Sequence, residues 1–119
     1  MKDLECAVRV CGNGIAAIDL SGGIFASNME ELTELIETQQ KSRTKELILN
    51  LTNLDFISSS GIGLFVQKND EFKKSDKRLW IAGPNPDIAQ IFDQFSLDEI
   101  LSIVSNEQQA IEEIKQFAP

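Results

Sequence analysis

Three consecutive serines, Ser58, Ser59 and Ser60, place three hydroxyl groups side by side in this 119-residue chain. A hydroxyl can attack a carbonyl, accept a phosphoryl group or cap a helix, and each role needs different neighbours. A serine nucleophile needs a base, but the chain has no histidine and no Gly-x-Ser-x-Gly turn. A phosphate-binding P-loop is excluded because no Gly-Lys-Ser or Gly-Lys-Thr ends the segment. Helix capping and phosphate acceptance remain.

The serines lie between two apolar segments. Residues 46–51 are nearly all apolar, which is typical of a strand covered on both faces. After the serines, apolar residues at helical spacing predict a helix that ends near Lys74: Ile62, Phe65, Val66 and Phe72. The first turn of a helix has free N–H groups and a partial positive charge, so it stabilises an anion.

Two interpretations of the serines therefore stay open. In the first, one serine caps the helix and the other two merely tolerate a polar turn. In the second, an exposed serine accepts a phosphoryl group at the helix N-terminus. In both, we expect Gly61 and Gly63 to let the backbone bend tightly and to keep the junction open to a second protein.

The segments before the serines predict a hairpin and a helix. Residues 3–11 and 15–20 are strand-like and flank Gly12-Asn13-Gly14, a strong hairpin signal. The same glycines match a dinucleotide-binding pattern, which we reject because a strand and not a helix follows. Ser21-Gly22-Gly23 is expected to end the second strand. Ser27-Asn28-Met29-Glu30 reads as a capping box that starts a helix running to about residue 40.

The segments after the serines alternate between strand and helix. Residues 77–82 predict a strand and 100–104 a shorter one, while 106–117 predict a last helix. Between the two strands a helical stripe is formed by Ile88, Ile91, Phe92 and Phe95. The fold class is therefore α/β: one domain over residues 1–119, with a small mixed sheet of four to five strands packed with about four helices.

Composition excludes several function classes. A net charge of −8 argues against nucleic-acid binding, which needs a basic surface. Without histidine the commonest metal ligand is missing, and we expect neither metal nor cofactor. Cys6 and Cys11 are expected on opposite faces of one strand as small apolar residues. No secretory signal or apolar run of about 20 residues appears, so we expect a reduced, cytoplasmic setting without membrane insertion.

Other charged and aromatic residues are given structural roles. We expect Trp80 to pack in the core. A solvated basic surface is predicted around the end of the second helix from Lys68, Lys73, Lys74, Lys77 and Arg78.

Two segments resemble one known family. "LILNLTNLDFISSSGIGLFV", residues 47–66, resembles the signature of the STAS domain of bacterial anti-sigma factor antagonists, in which an apolar strand leads through Asp-Ser-Ser/Thr-Gly-Leu-Gly into a helix. "DLSGGIFASNMEEL", residues 19–32, is similar to the family's second landmark, a strand, a Gly-Glu-Leu-Asp-like turn and a helix. The resemblance extends over essentially the whole chain.

The resemblance implies a partner switch and no enzymatic activity of the chain itself. In the family, the unphosphorylated antagonist binds an anti-sigma factor that is also a serine kinase, and this frees the sigma factor. The kinase then phosphorylates the antagonist and ends the complex, and a serine phosphatase resets it. The antagonist usually acts as a monomer that forms heterocomplexes. The alternative is a constitutive STAS scaffold, for example a subunit of a transporter ATPase, with no phosphorylation cycle.

Carried onto this sequence, the family's phosphoacceptor is Ser59, with Ser60 and Ser58 as the runners-up. The implied partner-binding residues are Ser58, Ser59, Ser60, Gly61, Ile62 and Gly63, together with Gly23, Phe25, Ser27 and Asn28. The sequence departs from the pattern at three positions, each of which loses an acid. Ser58 replaces the aspartate before the phosphoserine, and Gly23 and Phe25 replace the glutamate and aspartate of the first turn. We expect Phe25 to be exposed in a loop beside the serines.

Overall fold

A computed structural model describes residues 3–117 of the chain. Eleven short elements follow one another: β1 Glu5–Gly12, β2 Ile15–Ile24, a 3-10 turn Ala26–Asn28, α1 Glu30–Lys41, β3 Glu46–Ile57, α2 Ser59–Lys74, β4 Arg78–Ala82, α3 Pro86–Gln94, a 3-10 turn Leu97–Glu99, β5 Ser102–Val104 and α4 Glu107–Phe117.

The five strands form one mixed sheet in the order β1-β2-β3-β4-β5. β1 pairs with β2 in an antiparallel hairpin, and the remaining neighbours are parallel. Asn13 and Gly14 at the tip of the hairpin both have positive φ, as a tight hairpin turn requires. The predicted α/β class, the mixed sheet and the four helices are confirmed.

The helices cover the two faces of the sheet unequally. Helices α1, α2 and α3 pack on one face through a large apolar core that includes Ile36, Phe65 and Phe92. Helix α4 packs on the other face through a smaller core around Ala110 and Ile114. Alternate residues of each strand supply the two cores, so Cys6 lies against the larger and Cys11 against the smaller, as predicted.

Strand β2 does not end at Ser21-Gly22-Gly23, and that prediction is wrong. Ser21 still lies opposite Glu5 of β1, and beyond it the strand continues to Ile24 because β3 stays paired with it, with Gly23 opposite Phe56. Gly22 takes a φ of 94° inside the strand, which a glycine accepts at little cost. Strand β3 also extends beyond the predicted 46–51, since it follows β2 to Ile57.

The predicted capping box at Ser27 is also wrong. The residue before α1 is Met29, which makes no side-chain cap hydrogen bond, and Ser27 is exposed in the preceding 3-10 turn. Asn28 does the local capping instead. Its Oδ1 accepts from the N–H of Phe25 at 2.8 Å, and its Nδ2 donates to the carbonyl of Gly23 at 2.9 Å. An Asn side chain carries both an acceptor oxygen and an NH2 donor, so Asn28 satisfies both backbone groups at once.

Two members of the predicted basic surface are buried. Lys68 bridges α1 and α2, donating to Glu37 at 3.2 Å and to Glu71 at 3.0 Å. Lys77 donates to the carbonyls of Gln40 and Ser42 at the end of α1. Long aliphatic stems allow lysines to be buried when the ammonium finds partners, so spacing alone could not separate these two from exposed lysines.

Two aromatic predictions have different outcomes. Trp80 is buried, as expected, and its Nε1–H donates to Glu46. Phe95 is 67% exposed and is not part of the core stripe, because α3 ends at Gln94 and the chain turns away at Ser96, whose φ is 54°.

No helix among residues 3–117 is long and apolar enough to cross a bilayer.

Candidate functional site

Ser58 is the N-cap of α2. Its backbone is extended, and its hydroxyl oxygen accepts from the N–H of Gly61 at 3.2 Å, the N3 position that a cap serine serves. Its own N–H donates to the carbonyl of Ile24 at 2.9 Å, which ties the start of α2 to the end of β2. Both the hydroxyl oxygen and the N–H of Ser58 are therefore used in hydrogen bonds within the domain.

Ser59 and Ser60 occupy the first two positions of α2 and are both exposed. Neither hydroxyl makes a hydrogen bond within residues 3–117, and neither N–H has a backbone acceptor there. Capping thus uses one serine of the three. The other two present free hydroxyls to solvent at the positive end of a 16-residue helix, where a phosphoryl group would be stabilised.

The two glycines of the segment have different roles, and neither bends the chain as expected. Both lie inside α2 with helical φ. A Cβ on Gly61 would lie 2.7 Å from Cγ1 of Ile57 and 2.8 Å from Cγ2 of Ile24, so Gly61 allows the first turn to pack directly on the sheet. A Cβ on Gly63 would have no neighbour within 4 Å. Gly61 is buried by this packing, whereas Gly63 is exposed.

The second predicted segment meets the serines at the same edge of the sheet. Gly23 and Ile24 end β2 beside Phe56 and Ile57 of β3, which lead directly into Ser58. Gly23 is buried, and its carbonyl accepts from Asn28, so it acts in the loop through its backbone. Ser27 is exposed and Asn28 half-buried, and both lie in the loop that leaves this edge. Ile62 is half-buried against the larger core.

Phe25 is half-buried, because its ring stacks on that of Phe56 with centroids 5.0 Å apart and planes at 23°. Phe56 keeps 37% of its surface exposed. The expectation of a freely exposed Phe25 is therefore corrected to a stacked pair with one open side. Phe56 was not among the residues predicted for this site. Phe56 could have been placed beside Phe25 from the pairing of Gly23 in β2 with Phe56 in β3. That pairing could not be predicted while β2 was expected to end at Ser21.

Burial and ion pairing define the states of Cys6 and Arg9, which lie outside the serine segment. Burial raises the pKa of the Cys6 thiol to about 11, with Glu31 adding to the effect, so this cysteine is a thiol at neutral pH. Arg9 forms ion pairs with Asp19 and Glu107, joining β1, β2 and α4. No group of acids and cysteines within residues 3–117 could hold a metal ion.

The sheet order, the helix that starts at Ser59 and the loop at Phe25 can be compared with known proteins. Residues 8–110 match the model of the STAS domain. The chain belongs to the STAS domain family. A Staphylococcus aureus protein named anti-sigma-B factor antagonist is 26% identical over 86 residues, covering 72% of this chain and 80% of that protein.

Solved structures share the fold of this STAS domain. The unphosphorylated form of the anti-sigma factor antagonist SpoIIAA superimposes with a TM-score of 0.80 at 21% identity, over 97% of this chain and all of the other. The phosphorylated form of the Bacillus cell fate determinant SpoIIAA gives a TM-score of 0.73 at 22% identity, over 92% and 99% of the two chains. At this identity the likeness establishes the shared architecture.

Proposed function

We propose that this STAS domain, residues 1–119, is a non-enzymatic, cytoplasmic anti-sigma factor antagonist that is switched by phosphorylation at Ser59. Its unphosphorylated form binds an anti-sigma factor with serine kinase activity and frees the sigma factor. A serine phosphatase restores the binding form. The name of the Staphylococcus aureus relative supports this class. The choice of Ser59 is supported by the different environments of the serines: Ser58 caps α2, and Ser59 is exposed with a free hydroxyl.

Ser59 suits a modification that changes binding without unfolding the domain. A phosphoryl group adds a charge of about −1.5 to −2. At the first position of α2 it would lie beside unused N–H groups and the positive end of the helix dipole, so the fold tolerates it. Ser58 is a poorer acceptor, because it is only half-exposed and its hydroxyl oxygen already accepts from the N–H of Gly61. Ser60 is exposed as well and is the runner-up.

The partner, in contrast, does not tolerate the group. A surface that fits a neutral hydroxyl has to desolvate a dianion after phosphorylation, or move away from it. Changing a complex from 99% bound to 1% bound needs about 5.5 kcal/mol of differential affinity. The cost of desolvating a dianion at the centre of an interface is large enough to supply much of this free energy. The switch therefore needs no conformational change in the domain.

The test uses wild type, Ser59→Ala and Ser59→Asp as baits in a lysate of the native cells, followed by titration of the purified partner. We expect an anti-sigma factor or serine kinase that binds Ser59→Ala as tightly as wild type and binds Ser59→Asp at least tenfold more weakly. Ser60→Asp is the comparison variant, because it places the same charge one residue along the same turn, and we expect it to weaken binding less than Ser59→Asp does.

Two results would count against the proposal. Equal affinity of one partner for all the baits would indicate the alternative, a constitutive STAS scaffold whose serine turn is only architecture. A loss of binding with Ser60→Asp but not with Ser59→Asp would move the phosphoacceptor to Ser60.

A further inference from the structure

Beyond residue 20 the sheet has one bare face. Arg9 pairs with both Asp19 of β2 and Glu107 at the start of α4, so α4 begins at the level of Asp19 and extends back toward Ile15. On that face no helix of the described chain covers the ends of β2 and β3. This part of the sheet is therefore either exposed to water or covered by another molecule.

Irregular pairing places unusual side chains on this bare face. The register between β2 and β3 shifts between Asp19 and Ser21 and again between Gly22 and Gly23, so β3 carries extra residues in both places. Such bulges re-aim side chains and are common beside functional sites. Here Phe56 lies opposite Gly23, on the side of the sheet away from Ile24, Ile57 and α2.

The result is an aromatic pair beside a polar concavity. Phe25 and Phe56 are stacked with one side open to solvent. Next to them a concavity of about 410 Å³ is lined by Ser21, Gly22, Thr52, Asn53 and Asp55. Asp55 is exposed and makes no ion pair or hydrogen bond with the described residues. An open aromatic surface beside an unpaired carboxylate combines the two features that anchor protein interfaces.

Charge around this edge has one sign. None of the segments that leave it contains Lys or Arg: residues 58–63 are uncharged, and each of 3–5, 25–30, 83–87 and 105–107 contains an acid. The described basic residues lie mostly at the opposite edge, where α1 and α2 end and β3 and β4 begin. The surface that fits here therefore presents an apolar side chain against the rings and an Arg or Lys to Asp55.

We propose that the Phe25–Phe56 pair and the Asp55 concavity are the specificity anchor for the anti-sigma factor, which binds them with an apolar side chain flanked by a basic one. This inference rests on the proposed function and names the part of the surface that selects the partner. Phe25 and Gly23 stand where the family resemblance expects acids, so an aromatic anchor replaces an acidic one in this chain. The anchor lies on the opposite side of the two strands from α2, so its attraction for a basic side chain is separate from the phosphorylation switch at Ser59.

The test uses the purified anti-sigma factor that was identified by its binding to Ser59→Ala. Wild type and the single variants Phe25→Ala, Phe56→Ala and Asp55→Asn are each titrated against it by calorimetry. Removing an interface aromatic of this kind weakens binding by roughly tenfold or more. Asp55→Asn should weaken it by roughly threefold to tenfold and reduce its dependence on salt. Phe95→Ala is the matched control, because Phe95 is more exposed but lies at the other end of α3. Its affinity should equal that of wild type.

Folding and function are separated within the same experiment. Thermal unfolding of each variant shows whether the phenylalanine variants remain folded, and Asp55→Asn tests the surface without touching the core. If Ser59→Asp loses binding while all three anchor variants bind like wild type, the anchor is refuted and the switch stands. If no anti-sigma factor binds wild type or Ser59→Ala, the proposed function itself fails. Weaker binding by Phe95→Ala than by Phe56→Ala would also overturn the anchor.

Discussion

Gly61→Ala and Gly63→Ala test how α2 is seated on the sheet, because the same substitution two residues apart should change stability in opposite directions. Alanine is a better helix former than glycine by about 1 kcal/mol, so helix propensity alone would stabilise both variants. Packing separates them. At Gly61 the new methyl group would meet Ile57 and Ile24 at 2.7 and 2.8 Å, whereas at Gly63 it would meet nothing within 4 Å.

The magnitude follows from these distances. Overpacking a filled site costs about 1–3 kcal/mol, and a clash with two branched side chains that lie in the core belongs at the upper end. After the gain in helix propensity, Gly61→Ala should lower the free energy of unfolding by about 2 kcal/mol. Gly63→Ala should raise it by about 0.5–1 kcal/mol.

Urea unfolding followed by circular dichroism measures both values on the same protein, with Gly63→Ala as the control for helix propensity. Because the start of α2 must shift to admit the methyl group, Gly61→Ala should also weaken partner binding while Gly63→Ala leaves the fold intact. Gly61→Ala being as stable as Gly63→Ala would refute the packing role assigned to Gly61.

Three further predictions concern other parts of the fold. Ser58→Ala should lower the free energy of unfolding by about 1 kcal/mol, while Ser59→Ala and Ser60→Ala change it by less than about 0.5 kcal/mol in urea unfolding; equal effects would contradict Ser58 as the cap. Lys77→Met keeps the apolar stem but leaves the Gln40 and Ser42 carbonyls without their donor, so it should cost about 1–3 kcal/mol in thermal unfolding, against almost nothing for the exposed Lys74→Met. The Arg9 guanidinium holds the pKa of Asp19 below its usual value, so ionised Asp19 stabilises the fold above about pH 4 and this contribution is lost as the pH falls through the lowered pKa. Asp19→Asn should therefore flatten the loss of stability below pH 4, and an unchanged acid profile would contradict the role of the pair.

Local sequence patterns predicted the elements that short-range rules control. Asn13-Gly14 specified a hairpin because only residues that accept positive φ fit its tip. Residues 46–51 specified a buried strand, and Ser58 to Ser60 specified the strand-to-helix turn. The same local rules left open which serine caps the helix, since any of the three could do so. In the structure the cap is Ser58, because the helix begins at Ser59 and the N–H of Gly61 then lies at the N3 position.

Longer-range pairing accounts for most of what could not be predicted. Gly22-Gly23 reads as a break, but pairing with Leu54 and Phe56 of β3 holds both residues in the sheet. Ser27 fits a capping pattern that Asn28 displaces through two hydrogen bonds to its own loop. Lys68 and Lys77 are buried because partners from α1 reach them, and Phe56 meets Phe25 across two strands. Apart from the local hydrogen bonds of Asn28, these contacts join different elements of the fold, so the periodicity of one element carries no trace of them.

The most direct test of the switch is to phosphorylate the protein itself. The purified chain is incubated with its anti-sigma factor/serine kinase and ATP, the modified residue is located by mass spectrometry, and the modified and unmodified forms are titrated against the same partner. We expect one phosphoryl group, on Ser59, and an affinity at least a hundredfold lower for the modified form. Modification elsewhere, or equal affinity of the two forms, would contradict it.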